Sequence, residues 1–104
     1  HPTRGDDTRA WGPPFLEGES AYYLSINRNK ESVALDFTTP DGREALDALI
    51  GKADILVENF RPGTLEARGL GYAALAAKHP GLIYVSISGF GHTGPRKDEA
   101  GYDA

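Results

Sequence analysis

The sequence predicts an α/β protein in which strands and helices alternate along the chain and the strands pair in parallel. Two short apolar runs, 54–57 and 82–87, contain β-branched residues and have the length of buried strands. Two other segments, 40–51 and 72–78, carry apolar residues at helical spacing. Because helices separate the strands, each connection is expected to be a right-handed crossover, the connection that parallel strands require.

Residues 1–30 are predicted to be a loop-rich lead-in, because proline, glycine and charged residues interrupt any regular period. Within this lead-in, Ser20 is expected to cap a short helical turn over 21–24. The α/β core is predicted to occupy 31–104. A chain of 104 residues has the length of one small domain with one hydrophobic core.

The core is predicted to begin with a strand over 32–36, followed by a helix. Thr39 has the side chain of an N-cap residue, and Pro40 suits the first helical position. The helix is expected to end near Gly51, since glycine is a typical C-terminal stop. Four apolar residues are predicted to form its buried face: Ala45, Leu46, Leu49 and Ile50.

The strand predicted over 54–57 is followed by polar residues and then by the pair 62–63, Pro-Gly, as at the carboxyl edge of a parallel sheet. In open α/β sheets, ligands bind just outside that edge. Asn59, Phe60 and Arg61 are therefore expected where a ligand would lie. An amide, an aromatic ring and a guanidinium suit a nucleotide-like ligand. The alternative is that these residues only cap a loop.

A short helical turn over 64–68, a helix over 72–78 and a strand over 82–87 complete the predicted order. The glycine-rich loop 88–95 follows that last strand. It has neither the glycine spacing of a dinucleotide-binding loop nor the lysine of a Walker A loop. A flap or a turn is therefore favoured over a phosphate-binding cradle.

Composition and charge exclude several classes of function. A net charge of -4 argues against nucleic acid as a partner, and the absence of cysteine excludes a disulfide framework or a thiolate metal site. The three histidines have no metal-ligand spacing, so no metal site is predicted.

No membrane span or signal peptide is visible, which favours the cytoplasm, or the mitochondrial matrix or peroxisome of a eukaryote. The absence of methionine favours an internal part of a longer protein.

Few other residues are candidates for catalysis. Ser86 and Ser88 have no histidine or acid at the spacing of a nucleophile elbow, which argues against a hydrolase. His92 is a possible general base, but an exposed position in the glycine-rich loop is favoured. Glu58 ends a strand that is predicted to be buried, so its carboxylate is expected to bond to backbone or to an arginine.

A series of sequence blocks along the whole chain resembles CoA-transferase family III. The most specific are Asn27-Arg28-Asn29-Lys30 and the block 58–63, which reads Glu-Asn-Phe-Arg-Pro-Gly. The other blocks follow in family order: 5–9, 35–36, 69–72, 82–84, 86–91 and 101–103. Within the family, the segments 5–9, 11–15 and 22–25 look most like the succinate–hydroxymethylglutarate branch, which suggests a dicarboxylate such as succinate as a substrate.

The resemblance implies a longer protein, in which these residues form part of a Rossmann-like CoA-binding domain and two copies form an interlocked homodimer. The implied activity moves CoA between an acyl-CoA and a carboxylic acid through a covalent intermediate on an aspartate. That aspartate would follow residue 103, so no catalytic residue is expected in this chain. Coenzyme A and acyl-CoA are implied as substrates, with no permanently bound cofactor.

The resemblance also implies which residues border CoA. The adenosine end is bordered by Leu35, Asp36 and Phe37. The pantetheine–phosphate path is bordered by Asn59, Phe60 and Arg61, and the thiol by Gly101, Tyr102 and Asp103. Many members have an arginine where this chain has Ala67, and Arg68 is expected to replace it. An α-methylacyl-CoA racemase is the alternative activity, but Tyr102 stands where the racemase branch has a proton-transferring histidine, which argues against racemisation. A non-catalytic α/β binding fragment is the other alternative.

Overall fold

The computed structural model describes residues 5–101, which form two compact units. The first unit runs through Leu46 and the second begins at Asp47, inside the second α-helix. The predicted division between a lead-in and a core at residue 30 stays a prediction. Tyr102 and Asp103 lie outside the described residues.

The first unit contains a small hairpin in the segment that was predicted to be loop. A 3-10 helix over Asp7–Ala10 precedes two antiparallel strands, β1 (Phe15–Leu16) and β2 (Glu19–Ser20). Glu17 and Gly18 join the strands, both with positive φ, as a tight two-residue hairpin turn requires. The prediction of a loop was wrong here because strands of two residues are too short to show an alternating pattern.

Ser20 connects the hairpin to helix α1 (Ala21–Ile26) as the predicted N-cap. Its hydroxyl accepts a hydrogen bond from the Tyr23 amide at 3.3 Å and donates one to the carbonyl of Trp11. The Arg9 guanidinium bonds to the Glu19 carboxylate at 2.7 Å and lies 4.2 Å from the centre of the Tyr23 ring. A buried hydroxyl and an arginine thus hold together the elements of this unit.

The strand predicted over 32–36 does not form, which corrects the first part of the predicted topology. No described strand pairs with this segment, and isolated residues with strand propensity have no ladder to join. Helix α2 (Pro40–Ile50) follows as predicted. The Thr39 hydroxyl accepts a hydrogen bond from the Gly42 amide at 3.2 Å, which confirms the N-cap.

The second unit contains a parallel pair of strands, β3 (Ile55–Glu58) and β4 (Ile83–Ser86), as predicted. A 3-10 helix (Glu66–Arg68) and helix α3 (Tyr72–Lys78) connect them. The described part of the chain is thus a mixed α/β arrangement with a small parallel sheet, and its Rossmann-like extension stays a prediction. The buried apolar residues of this unit come from α2, α3 and the segment between the strands: Ile50, Leu65, Leu70 and Leu75.

The two parallel strands are less buried than their apolar sequences predicted. On each strand every second residue is exposed: Ile55 and Val57 on β3, and Ile83 and Val85 on β4. Their exposed fractions run from 38% to 61%. Leu49 of α2 is also exposed, whereas the other predicted core residues of that helix are buried or half-buried. None of the helices within residues 5–101 is long and apolar enough to cross a membrane.

Candidate functional site

A cavity of about 300 Å³ lies at the carboxyl ends of β3 and β4. Its wall is formed by the segment 59–62 after β3, the segment 87–89 after β4, and a third stretch consisting of Lys97 and residues 99–101. Asn59, Phe60 and Arg61 therefore lie together at a ligand-sized cavity, where the sheet-edge argument places them. Gly101 reaches the same cavity although forty residues separate it from Arg61 in the sequence.

Gly101 lies at the cavity because its backbone packs directly on that of Gly89. A Cβ atom built on either glycine would lie 2.4 Å from the Cα atom of the other. No side chain fits between two backbones at this separation. The contact brings the stretch 99–101 against the glycine-rich loop, so the sequence block that begins at Gly101 has a steric reason for its glycine.

The cavity combines positive charge with an apolar ring. The Arg61 guanidinium donates to the carbonyl of Asp98 at 3.2 Å, which orients the side chain without neutralising it. Lys97 makes no ion pair with any residue of 5–101. The Glu99 carboxylate is paired with Arg96 at 2.8 Å, and the Phe60 side chain is about half exposed at 47%. The wall thus offers two cations and an aromatic surface to an anionic ligand with an apolar portion.

A second group of polar side chains lies beside the cavity. Glu58 and Ser86 are partners in the parallel register, and the Ser86 hydroxyl donates a hydrogen bond to Glu58 Oε1. The Ser86 oxygen also lies 2.7 Å from His92 Nε2. Glu58 Oε2 accepts the Phe60 amide at 2.9 Å, so its predicted bond to backbone is confirmed. We call Glu58, Ser86 and His92 the edge cluster.

The fold brings an acid and a histidine to Ser86, although the sequence has neither at the spacing of a nucleophile elbow. It does not create a hydrolase triad. In a triad the imidazole lies between the acid and the serine and takes the serine proton. Here the serine lies in the middle and donates its hydrogen bond to the carboxylate, so His92 is not placed to take the hydroxyl proton.

Tyr84 lies on β4 near the edge cluster, and its ring meets the ring of Tyr72 edge-on at 6.1 Å. Partial burial raises the pKa of the Tyr84 hydroxyl, and the charges of Glu58 and Glu66 raise it further. This side chain therefore remains a neutral hydrogen-bonding group at the pH of the cell.

The other residues predicted to border the ligand do not line this cavity, or, like Tyr102 and Asp103, lie outside the described residues. Leu35 and Phe37 are half-buried in the first unit, and Asp36 is exposed there. The Asp36 carboxylate accepts the hydroxyl and the amide of Thr38, and these bonds hold its pKa below the ordinary value. The Arg68 guanidinium donates to the carbonyl of Thr64 at 3.2 Å.

Two groups at the cavity escaped the sequence analysis. Lys97 lies in a stretch without periodicity, and nothing in that pattern relates it to the sheet edge. Ser88 was considered only as a nucleophile, whereas it lines the cavity and accepts the Gly91 amide at 3.0 Å. The signal for Ser88 was its position after a strand, which is the argument that identified Asn59. Within residues 5–101 no group of three or more metal-ligating side chains occurs.

The small parallel sheet thus has a cationic cavity at its carboxyl edge, the place where open α/β proteins bind their ligands. The sequence profile of CoA-transferase family III matches residues 1–104. The chain therefore belongs to that family, as its sequence blocks predicted.

The chain is also similar to named CoA-transferases. The human succinyl-CoA:glutarate CoA-transferase is 52% identical over 103 residues, which are 99% of this chain and 24% of that protein. The succinate–glutarate CoA-transferase of Agrobacterium fabrum is 50% identical over 109 residues, covering 99% of this chain and 27% of that protein. The chain thus spans about a quarter of the length of the curated relatives that it matches.

A solved structure shows the same fold. The crystal structure of a CAIB/BAIF family protein from Brucella suis matches this chain with a TM-score of 0.86 at 51% sequence identity. The match covers 97% of this chain and 28% of that chain.

Proposed function

We propose that these residues contribute to the CoA site of a CoA-transferase that moves CoA between an acyl-CoA and a carboxylic acid. The observation that carries the proposal is the cavity lined by Phe60, Arg61 and Lys97 at the carboxyl edge of the sheet. Coenzyme A is an anion with a long, largely apolar pantetheine arm, and this wall offers a counterpart for each feature.

In this proposal each wall residue has a task in binding. The Phe60 ring lies along the pantetheine arm, Arg61 and Lys97 attract the phosphates, and Asn59 bonds a polar group of the arm. Gly101 and the two residues after it border the thiol end. Leu35, Asp36 and Phe37 border the adenosine end, and Arg68 contributes a charge in place of the family arginine.

We propose that the nucleophile is an aspartate that follows residue 103 in the full-length protein. Its carboxylate attacks the thioester carbon of the donor, forming a mixed anhydride and releasing CoA thiolate. The thiolate attacks the aspartyl carbonyl of the anhydride, which releases the donor acid and leaves an aspartyl-CoA thioester. The acceptor carboxylate attacks that thioester, forming a second anhydride and freeing the thiolate. Attack of the thiolate on the acceptor carbonyl gives the new acyl-CoA and regenerates the aspartate.

The names of the relatives guide the choice of substrates. We propose succinyl-CoA as the donor and a dicarboxylate of the size of glutarate as the acceptor. We also propose that the full-length protein acts as an interlocked homodimer, as the family resemblance implies.

The direct test is an assay of the full-length gene product that contains these residues. Purified protein is incubated with succinyl-CoA and glutarate, oxalate, carnitine or hydroxymethylglutarate, and CoA esters are separated by chromatography. Formation of the acceptor's CoA ester supports the proposal. Rapid exchange of the α-hydrogen of a 2-methylacyl-CoA in deuterated water, without an acceptor acid, would instead identify a racemase.

Two substitutions relate the activity to the cavity. Arg61→Gln and Lys97→Gln should each raise the KM for acyl-CoA about tenfold, because a charge-assisted bond contributes roughly 1.5 kcal/mol at its lower end. Lys52→Gln, at an exposed position outside the cavity, is the matched control and should leave the KM unchanged. If both cavity variants behave like the control, the cavity does not bind CoA.

A further inference from the structure

The edge cluster has a defined direction of hydrogen bonding. A carboxylate only accepts hydrogen bonds, and a serine hydroxyl has one proton and two lone pairs. Since the Ser86 proton points to Glu58, the Ser86 oxygen can only accept from the imidazole. His92 therefore carries a proton on Nε2 and donates it, and the bonds run from His92 to Ser86 to Glu58.

The hydrogen bonds continue from the edge cluster into the cavity wall. Glu58 uses its other oxygen to accept the Phe60 amide at 2.9 Å, so the cluster fixes the backbone of a wall residue. Ser86 directly precedes the wall segment 87–89, and His92 belongs to the glycine-rich loop. One line of bonds thus connects the loop to both segments that follow the strands.

We propose that Ser86 and His92 are positioning residues of the CoA site. Together they orient the Glu58 carboxylate, and through its bond to the Phe60 amide they set the place of the ring that lies along CoA. Neither side chain lines the cavity at the sheet edge, so neither is assigned a contact with CoA. The inference rests on the proposed function, because it assumes that the cavity binds CoA.

The test compares removal of each hydrogen-bonding group with its restoration. Ser86→Ala removes the central hydroxyl, whereas Ser86→Thr keeps it and suits a strand. His92→Ala removes the donor, whereas His92→Gln keeps an N–H at a similar reach. His79→Gln, at the end of α3, is the control histidine, since it lies outside both the edge cluster and the cavity.

The measurement is calorimetric titration of the full-length gene product with CoA, accompanied by thermal unfolding of each variant. Loss of a hydrogen bond to a charged group should weaken CoA binding about tenfold in Ser86→Ala, and loss of the imidazole about threefold or more in His92→Ala. Ser86→Thr, His92→Gln and the control should bind within about twofold of the wild type. In the transfer assay, the two alanine variants should raise KM and leave kcat nearly unchanged.

Each other result counts against the inference. Wild-type affinity in both alanine variants would overturn the positioning role and leave the proposed function intact. Failure of Ser86→Thr and His92→Gln to restore binding, with unfolding temperatures equal to the wild type, would also overturn it. If the wild-type protein itself binds no CoA, the proposed function fails and this inference fails with it.

Discussion

Replacement of Gly101 by alanine should open the cavity at the sheet edge. The new Cβ atom would lie 2.4 Å from the Cα atom of Gly89 and 3.2 Å from its nitrogen. Ordinary contact between such atoms begins at 3.4 Å, so the two backbones must separate by about 1 Å. Both of these Gly89 atoms belong to the backbone, so no side chain can turn away to relieve the strain. One of the two segments that line the cavity must therefore move.

The magnitude follows from the cost of inserting a methyl group into a packed site, which is about 1–3 kcal/mol. If the strained contact is kept, this cost lowers the free energy of unfolding. If the stretch 99–101 moves away from Gly89, the cost is expressed in binding instead, as CoA affinity lower by roughly 5- to 150-fold. The loss of unfolding free energy and the loss of CoA-binding free energy should add up to at least about 1 kcal/mol.

The assay is calorimetric titration of the full-length gene product with CoA, together with chemical unfolding of the same preparation. Gly81→Ala is the matched control, because a Cβ atom at Gly81 meets nothing within 4 Å and its φ is not positive. The control should change both quantities by less than about 0.5 kcal/mol. A Gly101→Ala protein that matches the control in both measurements would refute the argument that backbone contact shapes the cavity.

Three further predictions concern the first unit, and each is measured on the full-length gene product. Gly42→Ala should lower the free energy of unfolding by about 1 kcal/mol or more despite the helix propensity of alanine, because its Cβ would lie 2.0 Å from the Asp36 carbonyl oxygen. Ser20→Ala should lower it by about 1–3 kcal/mol, since a fully buried cap is lost, whereas exposed Ser25→Ala should change it little. The folded pKa of Asp36 is lowered mainly by the Thr38 hydroxyl, so its stabilising contribution is complete above pH 3.8 and is lost as the pH falls through the folded pKa. Titration of the Asp36 carboxyl by NMR should show this low value, and equal values in the wild type and Thr38→Val would contradict it.

The sequence predicted the elements whose local signals agree with their packing. Helix α3 begins and ends at the predicted residues, and α2 starts at Pro40 behind its Thr39 cap. The two apolar runs form the parallel pair within one residue of each predicted end. Periodicity, caps and β-branched composition are properties of neighbouring residues, so a single sequence carries them.

Features that depend on a partner segment were harder to predict. The residues 32–36 have strand composition but form no strand, because no described strand pairs with them. The hairpin around Gly18 forms without an alternating pattern; a two-residue turn joins its strands, and the buried Ser20 hydroxyl donates to the carbonyl of Trp11. Strand propensity describes a fit to a sheet and not an intrinsic preference of the backbone.

Some features of the candidate site could be predicted from the sequence although they depend on a partner segment. The register of β3 and β4 follows from aligning their last residues, which makes Glu58 and Ser86 neighbours on one face. The rule that parallel strands end at a common edge brings the two strand ends together, but the predicted ends, 57 and 87, would pair Val57 with Ile87, two residues away from the observed register. By contrast, the approach of Gly101 to Gly89 and of Lys97 to the cavity depends on the path of a loop without periodicity. The sequence therefore determines the groups that come directly from strand ends, while those supplied by the later loop require the folded structure.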